Sequence, residues 1–308
     1  MPKTGFPHSQ VANNGKASRY VKHVVLLGHP VSHSVSPAFQ QAAFDNCDVP
    51  FRYSALDVSP ADLESTVRSL RGSGFRGANV TIPYKEKVQP YLDDITPLAH
   101  RVGSVNTVIN NDGLLLGDNT DVAGFIKALN DVSVDVTDGK ALILGAGGAA
   151  RAVAFALAEA KAPEVVIANR GLARAQRLIN DLQPALESPR MRCIHWDDIC
   201  REAESCHLIV NCTSLGLRGG DAENQSPLQA EFIPKSAVIF DVEYNPPHTP
   251  FLMEADKAGA TIISGLSMLV YQGALSFKLW TGLEAPLDIM FDAARKALPE
   301  TRFPVKVG

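Results

Sequence analysis

The sequence predicts an α/β protein built from two units, and three observations carry that reading. The chain has 308 residues, enough for about two domains at roughly 150 residues each, with cores of their own. From His23 onward, short β-branched runs alternate with longer helical patterns. Such alternation marks strands and crossover helices in largely parallel sheets. Near the middle, the apolar run Ala141-Leu142-Ile143-Leu144 leads straight into a glycine-rich turn, as a strand buried on both faces does.

The first unit opens with a strand over Val24 to Gly28. A helix follows Ser36-Pro37, where Ser36 is expected to cap and Pro37 to occupy the first helical position. A strand near Tyr53 to Leu56, a helix from Ala61 to Leu70 and a short strand ending at Val80 come next. Val105 to Asn110 and Leu114 to Leu116 flank Asn111-Asp112-Gly113, which reads as a tight hairpin. The second unit starts with the strand Ala141 to Leu144 and a helix to about Ala160. The strand Val165 to Ala168 and the helix Leu172 to Leu182 follow, then strands at Leu208 to Asn211, Val238 to Asp241 and Thr261 to Ile263. The helical patterns Gly265 to Trp280 and Leu287 to Leu298 have no strand between them, so they are expected to pack elsewhere. Leu217 to Gln225 reads as a polar loop.

Composition excludes several function classes. The chain is 45% hydrophobic and 20% charged, an ordinary globular composition. Lys and Arg number 29 against 33 Asp and Glu, a formal charge of −4. There is no basic run of the kind phosphate-backbone binding needs, so no nucleic-acid partner is expected. The five cysteines form no C-x-x-C pair, and a chain this long needs no disulfide framework, which suggests a reducing, cytoplasmic compartment. No signal-peptide or membrane-spanning pattern is read, and residues 1–20 are expected to be a disordered tail.

The most specific local pattern is Gly145-Ala146-Gly147-Gly148-Ala149-Ala150, a G-x-G-x-x-A between a strand and a helix. Its glycines allow a tight turn and close approach of a pyrophosphate, whose charge then faces the positive helix N-terminus. An NAD site usually places Asp or Glu about 20 residues on, against the ribose hydroxyl. Here Asn169-Arg170 ends the next strand and Arg174 lies one turn further. Two guanidinium groups suit a 2′-phosphate, so NADP is the expected cofactor.

Four polar clusters sit near predicted strand ends: His33-Ser34-Val35-Ser36-Pro37, Asn79-Val80-Thr81 through Lys85, Asn106-Thr107, and Asp118 to Asp121. Hydroxyls, amides, one amine and one carboxylate suit a small polyhydroxylated ligand. Hydride transfer at an alcohol carbon needs a partner for the hydroxyl proton. Lys85 oriented by Asp121 would serve. The histidines show no metal-ligand spacing; they are read as structural, and no metal is expected.

Together these motifs resemble the shikimate dehydrogenase family over nearly the whole chain after Val24. The matching stretches run from Gly28-His29-Pro30 and Ser34-x-Ser36-Pro37 through Asn79-Val80-Thr81 with Lys85, Asn106-Thr107, Asn119-Thr120-Asp121, the Gly145 turn, Asn169-Arg170 and Asn211-Cys212-Thr213 to Gly265, Met268-Leu269 and Gln272. The resemblance implies NADP-linked interconversion of 3-dehydroshikimate and shikimate in aromatic amino-acid biosynthesis. It implies a substrate domain over residues 21–121 and 266–308, made by the C-terminal helices returning to the N-terminal α/β part. A Rossmann NADP-binding domain would cover 122–265. Ser34 and Ser36 would bind the substrate carboxylate, and Thr81, Asn106 and Gln272 its polar groups, within a site that also takes in Asn79. Lys85 and Asp121 match the catalytic pair, Tyr244 falls near the substrate, and Thr213 and Gly265 fall near the nicotinamide half.

Three features depart from or qualify the pattern. Gly171 stands where the NADP motif often has Thr. Ser264 and Ser267 replace the more usual Asp and Gly around Gly265. Gln272-Gly273-Ala274 is reminiscent of the quinate/shikimate branch. A quinate- or aminoshikimate-type dehydrogenase therefore stands as the alternative, as does a non-catalytic NADP-binding paralogue, against which Lys85 and Asp121 speak. A folate-linked dehydrogenase of two-domain Rossmann type would not need the serine cluster. Monomer and homodimer both remain open, since no self-complementary patch is readable.

Overall fold

A computed structural model describes residues 20–183 and 190–299; the predicted N-terminal tail lies outside them apart from Tyr20. The first part of the chain runs β1 (Lys22–Gly28), α1 (Ser36–Asn46), β2 (Phe51–Asp57), α2 (Leu63–Ser69), β3 (Phe75–Val80), β4 (Asp94–Ile95), α3 (Pro97–Val102), β5 (Thr107–Asn111) and β6 (Leu114–Asp118). Its sheet has the order β2-β1-β3-β5-β6-β4. The sheet is mixed rather than largely parallel: β3 and β5 pair antiparallel, as do β5 and β6. The β5–β6 pair is the predicted hairpin, whose turn holds Asp112 at φ 51° and Gly113 at φ 96°. Two successive positive φ values match strand twist in a two-residue hairpin turn.

One start signal was read one residue too late. Val35 is the N-cap of α1 and Ser36 its first residue, with no side-chain cap. Instead the Ser36 backbone N–H donates to Ser34 Oγ at 3.2 Å. The hydroxyl of Ser36 is left without a capping duty.

The chain then enters α4 (Asp121–Asn130) and a second sheet. Its elements are β7 (Ala141–Leu144), α5 (Gly148–Glu159), β8 (Glu164–Asn169), α6 (Leu172–Leu182), β9 (Arg190–His195), α7 (Ile199–Ala203), β10 (Leu208–Asn211), β11 (Val238–Asp241), α8 (Pro250–Ala258) and β12 (Thr261–Ser264). The order β12-β11-β10-β7-β8-β9 is parallel throughout. Counted from β7 as first strand, this is 6-5-4-1-2-3, the doubly wound dinucleotide order read from the other edge. Residues on β7, β10 and β11 are buried on both faces, which explains their unbroken apolar runs. One face packs on Phe125, Phe155 and Leu178, and the other on Ile199, Phe251 and Leu252. Strand β9 and helix α8 were not anticipated. Thr249 nevertheless caps α8, accepting from Leu252 N–H at 3.3 Å, with Pro250 next and Gly259 at φ 74° beyond the end; proline inside the start and glycine past the end delimit a helix.

Helices α9 (Gly265–Thr281) and α10 (Leu287–Ala297) return to the first sheet. Phe277, Trp280 and Met290 join Val24, Leu26, Phe39 and Phe44 in one core. The Trp280 indole N–H donates to Val108 O at 3.0 Å. Beneath it lies Gly77, where an added Cβ would stand 2.1 Å from Val108 O and 2.5 Å from Trp280 Nε1. A backbone oxygen cannot yield as a flexible side chain can. Gly77→Ala is therefore expected to lower stability by about 1–3 kcal/mol, read as a shift in the urea midpoint; an unchanged midpoint would contradict this packing.

Candidate active site

The carboxyl ends of both sheets face one another across a cleft of about 720 Å³. Loops after parallel strands are where open α/β sheets collect ligand groups. All the predicted substrate and cofactor positions line this cleft: Ser34, Ser36, Asn79, Thr81, Lys85, Asn106, Asp121, Tyr244 and Gln272 from the first set, and the 145–149 turn, Asn169, Arg170, Arg174, Thr213 and Gly265 from the second.

Lys85 and Asp121 form the centre. Lys85 Nζ donates to Asp121 Oδ2 at 2.6 Å, and the Asp121 side chain is 3% exposed. Asp121 begins α4, so its carboxylate lies at a helix N-terminus that favours negative charge. Its second oxygen accepts from Asn106 Nδ2 at 2.9 Å. Asn106 Nδ2 also approaches Thr120 Oγ1 at 2.8 Å and Gln272 Oε1 at 3.0 Å, while Asn106 Oδ1 accepts from Thr120 N–H at 2.8 Å. The single amide of Asn106 thus ties β5, α4 and α9 together. Helices α4 and α9 approach closely at Gly124, where a Cβ would lie 2.9 Å from the Gln272 backbone nitrogen.

The remaining polar groups divide by whether their valences are already used. Asn79 is consumed: Oδ1 accepts from Tyr53 O–H at 2.7 Å, and Nδ2 donates to Asn106 O and Ser276 Oγ, both at 3.1 Å. It shapes the site by holding its neighbours. Gln272 Nε2 donates once, to Leu269 O at 2.7 Å, leaving its second N–H available. Tyr244 is hydrogen-bonded to the Ser34 side chain and the Val35 backbone, and burial raises its phenol above the ordinary range. Ser34, Ser36 and Tyr244 thus bring three hydroxyls to the lining of the cleft that also holds Lys85.

The nucleotide side meets the requirements of a dinucleotide. Gly145 has φ 106°, and a Cβ there would lie 3.0 Å from Cys212 O. No side chain caps α5, so its N-terminal N–H groups remain free for a phosphate. Gly148 serves the opposite side of the cleft: its Cβ would stand 2.9 Å from Lys85 Cβ. Arg170 is exposed and has no acidic partner among the described residues. Arg174 folds back, donating from Nε to Ala146 O at 2.9 Å and reaching Glu86 Oε1 at 3.5 Å. Glu86 also pairs with Arg151, Oε2 to Nε, at 3.1 Å. The sequence departures take up local duties: Ser264 caps α9 by accepting from Leu266 N–H at 3.4 Å, and Ser267 donates to Ser264 O at 3.1 Å. Gly171 caps α6 without a side-chain hydrogen bond.

Sequence reading passed over Glu86, Trp196, Arg218 and Glu243, all of which line the cleft. Glu243 carried a signal, since it is an acid two residues past the apolar strand β11. Burial and the neighbouring Asp241 push its carboxyl up to about 8. Asp241 is itself raised to about 7 by burial, opposed by hydrogen bonds from Thr249, the Glu243 backbone and Asn211. Among the described residues no group of His, Cys, Asp and Glu is arranged to hold a metal ion, and no helix is long and apolar enough to cross a membrane. The five cysteines are free.

Known proteins match this arrangement in sequence and shape. The family "Shikimate dehydrogenase substrate binding domain" matches residues 26–108, "Shikimate / quinate 5-dehydrogenase" residues 127–242, and "Shikimate 5'-dehydrogenase C-terminal domain" residues 265–295. Shikimate dehydrogenase (NADP(+)) of Moorella thermoacetica is 45% identical over 276 residues, covering 89% of this chain and 93% of its own. Shikimate 5-dehydrogenase of Thermus thermophilus, solved with NADP(H) and shikimate, superposes with a TM-score of 0.79 at 40% identity, over 90% of this chain and all of its own. Quinate dehydrogenase of Corynebacterium glutamicum, solved with NAD, gives 0.80 at 27% identity over 89% and 99%.

The raised Glu243 carboxyl has a consequence for stability. An unfolded glutamate titrates near ~4.3, so between about pH 5 and 8 the folded chain holds a proton that the unfolded chain has lost. Stability then falls as pH rises through that window. Glu243→Gln has no such proton and should lose less stability over the window than the parent chain, measured by urea unfolding at stepped pH. Parallel profiles would mean that this carboxyl titrates normally.

Proposed function

The chain belongs to the shikimate dehydrogenase family, and from that premise we propose that it reduces 3-dehydroshikimate to shikimate reversibly with NADP(H), using Lys85 and Asp121 as its catalytic pair. The observation that carries the assignment is the 2.6 Å Lys85–Asp121 contact between the serine loop and the glycine-rich turn. The alternative of a non-catalytic paralogue fits poorly with an intact, shielded proton-transfer pair.

In this reading the substrate carboxylate docks on Ser34, Ser36 and Tyr244, and the ring hydroxyls meet Thr81, Asp121 and the free N–H of Gln272. Asn79 and Asn106 hold these groups in register. During reduction, Lys85 Nζ gives a proton to the carbonyl oxygen of the substrate; during oxidation it takes one from the hydroxyl. Asp121 fixes the position of the amine. The 145–149 turn would hold the pyrophosphate of NADP(H), Asn169, Arg170 and Arg174 its 2′-phosphate, and Thr213 and Gly265 its nicotinamide end; the cofactor when bound would supply or accept the hydride.

We assign residues 21–121 and 266–308, of which 300–308 lie outside the described residues, to the substrate domain and 122–265 to the cofactor domain; the two separate sheets and the return of α9 to the first of them support this division. A cytoplasmic setting is supported by the free cysteines.

The test is an absorbance assay at a wavelength that reports NADPH, crossing shikimate and quinate with NADP and NAD. The expected result is dominant efficiency with shikimate and NADP; dominant quinate turnover would move the chain to the quinate-using branch. Lys85→Ala should reduce turnover about a hundredfold or more with the fold intact. Near-normal turnover would remove Lys85 from the proton transfer.

A further inference from the structure

Glu243 is a carboxyl of the cleft that the mechanism does not use, and unlike Glu86 it forms no ion pair with an arginine among the described residues. Its side chain belongs to a residue only 8% exposed, yet the carboxyl accepts no hydrogen bond and forms no ion pair among the described residues. A buried polar group without a partner costs stability and calls for a reason. Its oxygens are not among the fully enclosed unpaired atoms of the molecule, and the residue lines the central cleft. The free valence therefore opens into ligand space.

Its place in the fold specifies which ligand. Glu243 leaves the carboxyl end of β11, beside the end of β10 with Asn211, Cys212 and Thr213. In this strand order, the glycine-rich turn after β7 takes the pyrophosphate, and β10 and β11 continue the crevice away from the adenine side marked by Asn169 and Arg170. Tyr244, the next residue, turns to Ser34 on the substrate side. Val242, the preceding residue, has its carbonyl oxygen 2.1 Å from where a Cβ on Gly265 would sit. Glu243 is thus bracketed between the substrate cluster and Gly265, where the nicotinamide ring must lie for hydride to pass.

We infer that Glu243 is a cofactor-binding residue whose carboxyl oxygen accepts a hydrogen bond from the carboxamide N–H of the nicotinamide. The inference rests on the NADP(H) assignment above. A carboxyl has an acceptor oxygen whether protonated or ionised, so the contact holds on both sides of the pKa of about 8. It fixes the rotation of the ring about its glycosidic bond and so the face presented to the substrate.

Direct binding measurements on the purified full chain test this. Dissociation constants for NADPH are read by fluorescence titration for the parent chain, Glu243→Ala and Glu243→Gln, with Glu243→Leu available should the alanine variant fail to fold. Loss of one hydrogen bond predicts NADPH binding weakened about threefold to tenfold in the alanine or leucine variant. Glutamine, which keeps an acceptor oxygen, should restore it to within about twofold. Adenosine 2′,5′-bisphosphate, which lacks the nicotinamide, should bind all variants alike, and the 3-acetylpyridine analogue, which lacks the amide N–H, should show no penalty from the substitution. Unchanged NADPH affinity in the alanine or leucine variant, or equal weakening of the bisphosphate, overturns the contact. Failure of the parent chain to bind either nucleotide overturns the cofactor assignment and the inference with it.

Discussion

The 2.6 Å contact between Lys85 and Asp121 is the constraint around which the molecule is arranged. An ammonium and a carboxylate withdrawn from water require further polar support, or desolvation outweighs their attraction. That support is drawn from three separate elements through Asn106, whose amide reaches α4 and α9 from β5. Behind it a second layer, with Asn79, Thr107 and Ser276, fills the space with hydrogen bonds rather than methyl groups. Removing any one of these partners would leave another buried polar group unpaired.

The two sheets contribute unequal qualities to the cleft. The parallel sheet supplies mainly backbone: a turn of glycine and alanine, helix N–H groups without a side-chain cap and strand ends covered on both faces. The mixed sheet supplies side chains with assigned partners and a few spare valences. Gly148 is where the two contributions touch, since the absence of its Cβ leaves room for the Lys85 side chain. That glycine therefore serves the amine as much as the phosphate, a double use invisible in the motif itself.

Much of this was legible in the sequence, for reasons that differ by position. The strand Ala141–Leu144 and the turn after it were readable because burial on both faces and a tight phosphate turn each impose a local pattern. The hairpin at Asp112-Gly113 was readable because its turn demands positive φ. The antiparallel pairing of β3 with β5 was not, because strand direction there depends on partners distant in the chain. Strand β9 escaped notice because its residues are half-exposed at a sheet edge and lack an apolar run. In the cleft, Lys85 and Asp121 were found as chemistry in search of a partner, while the consumption of Asn79 by Tyr53, Asn106 and Ser276 emerges only from three-dimensional contacts. Arg174 lines the cleft, and its contacts across the turn with Ala146 O and with Glu86 come from residues distant in the chain. Sequence spacing located the residue but not these acceptors.

Helix α4 has a further mechanical meaning. It presents Asp121 at its first position, and one turn later Phe125 is embedded in the second sheet's core, its ring 5.0 Å from that of Phe240. The chain's return crossing, Ser264 to Gly265, leads into the helix packed against it. A rocking motion of one sheet against the other would therefore have its pivot about one helical turn, roughly 5 Å, from the reacting carboxylate. Near a pivot displacement is small, and far from it large. Such a motion would displace the adenine end of the cleft more than the proton-handling atoms, and ligand exchange by that route would leave the catalytic geometry standing.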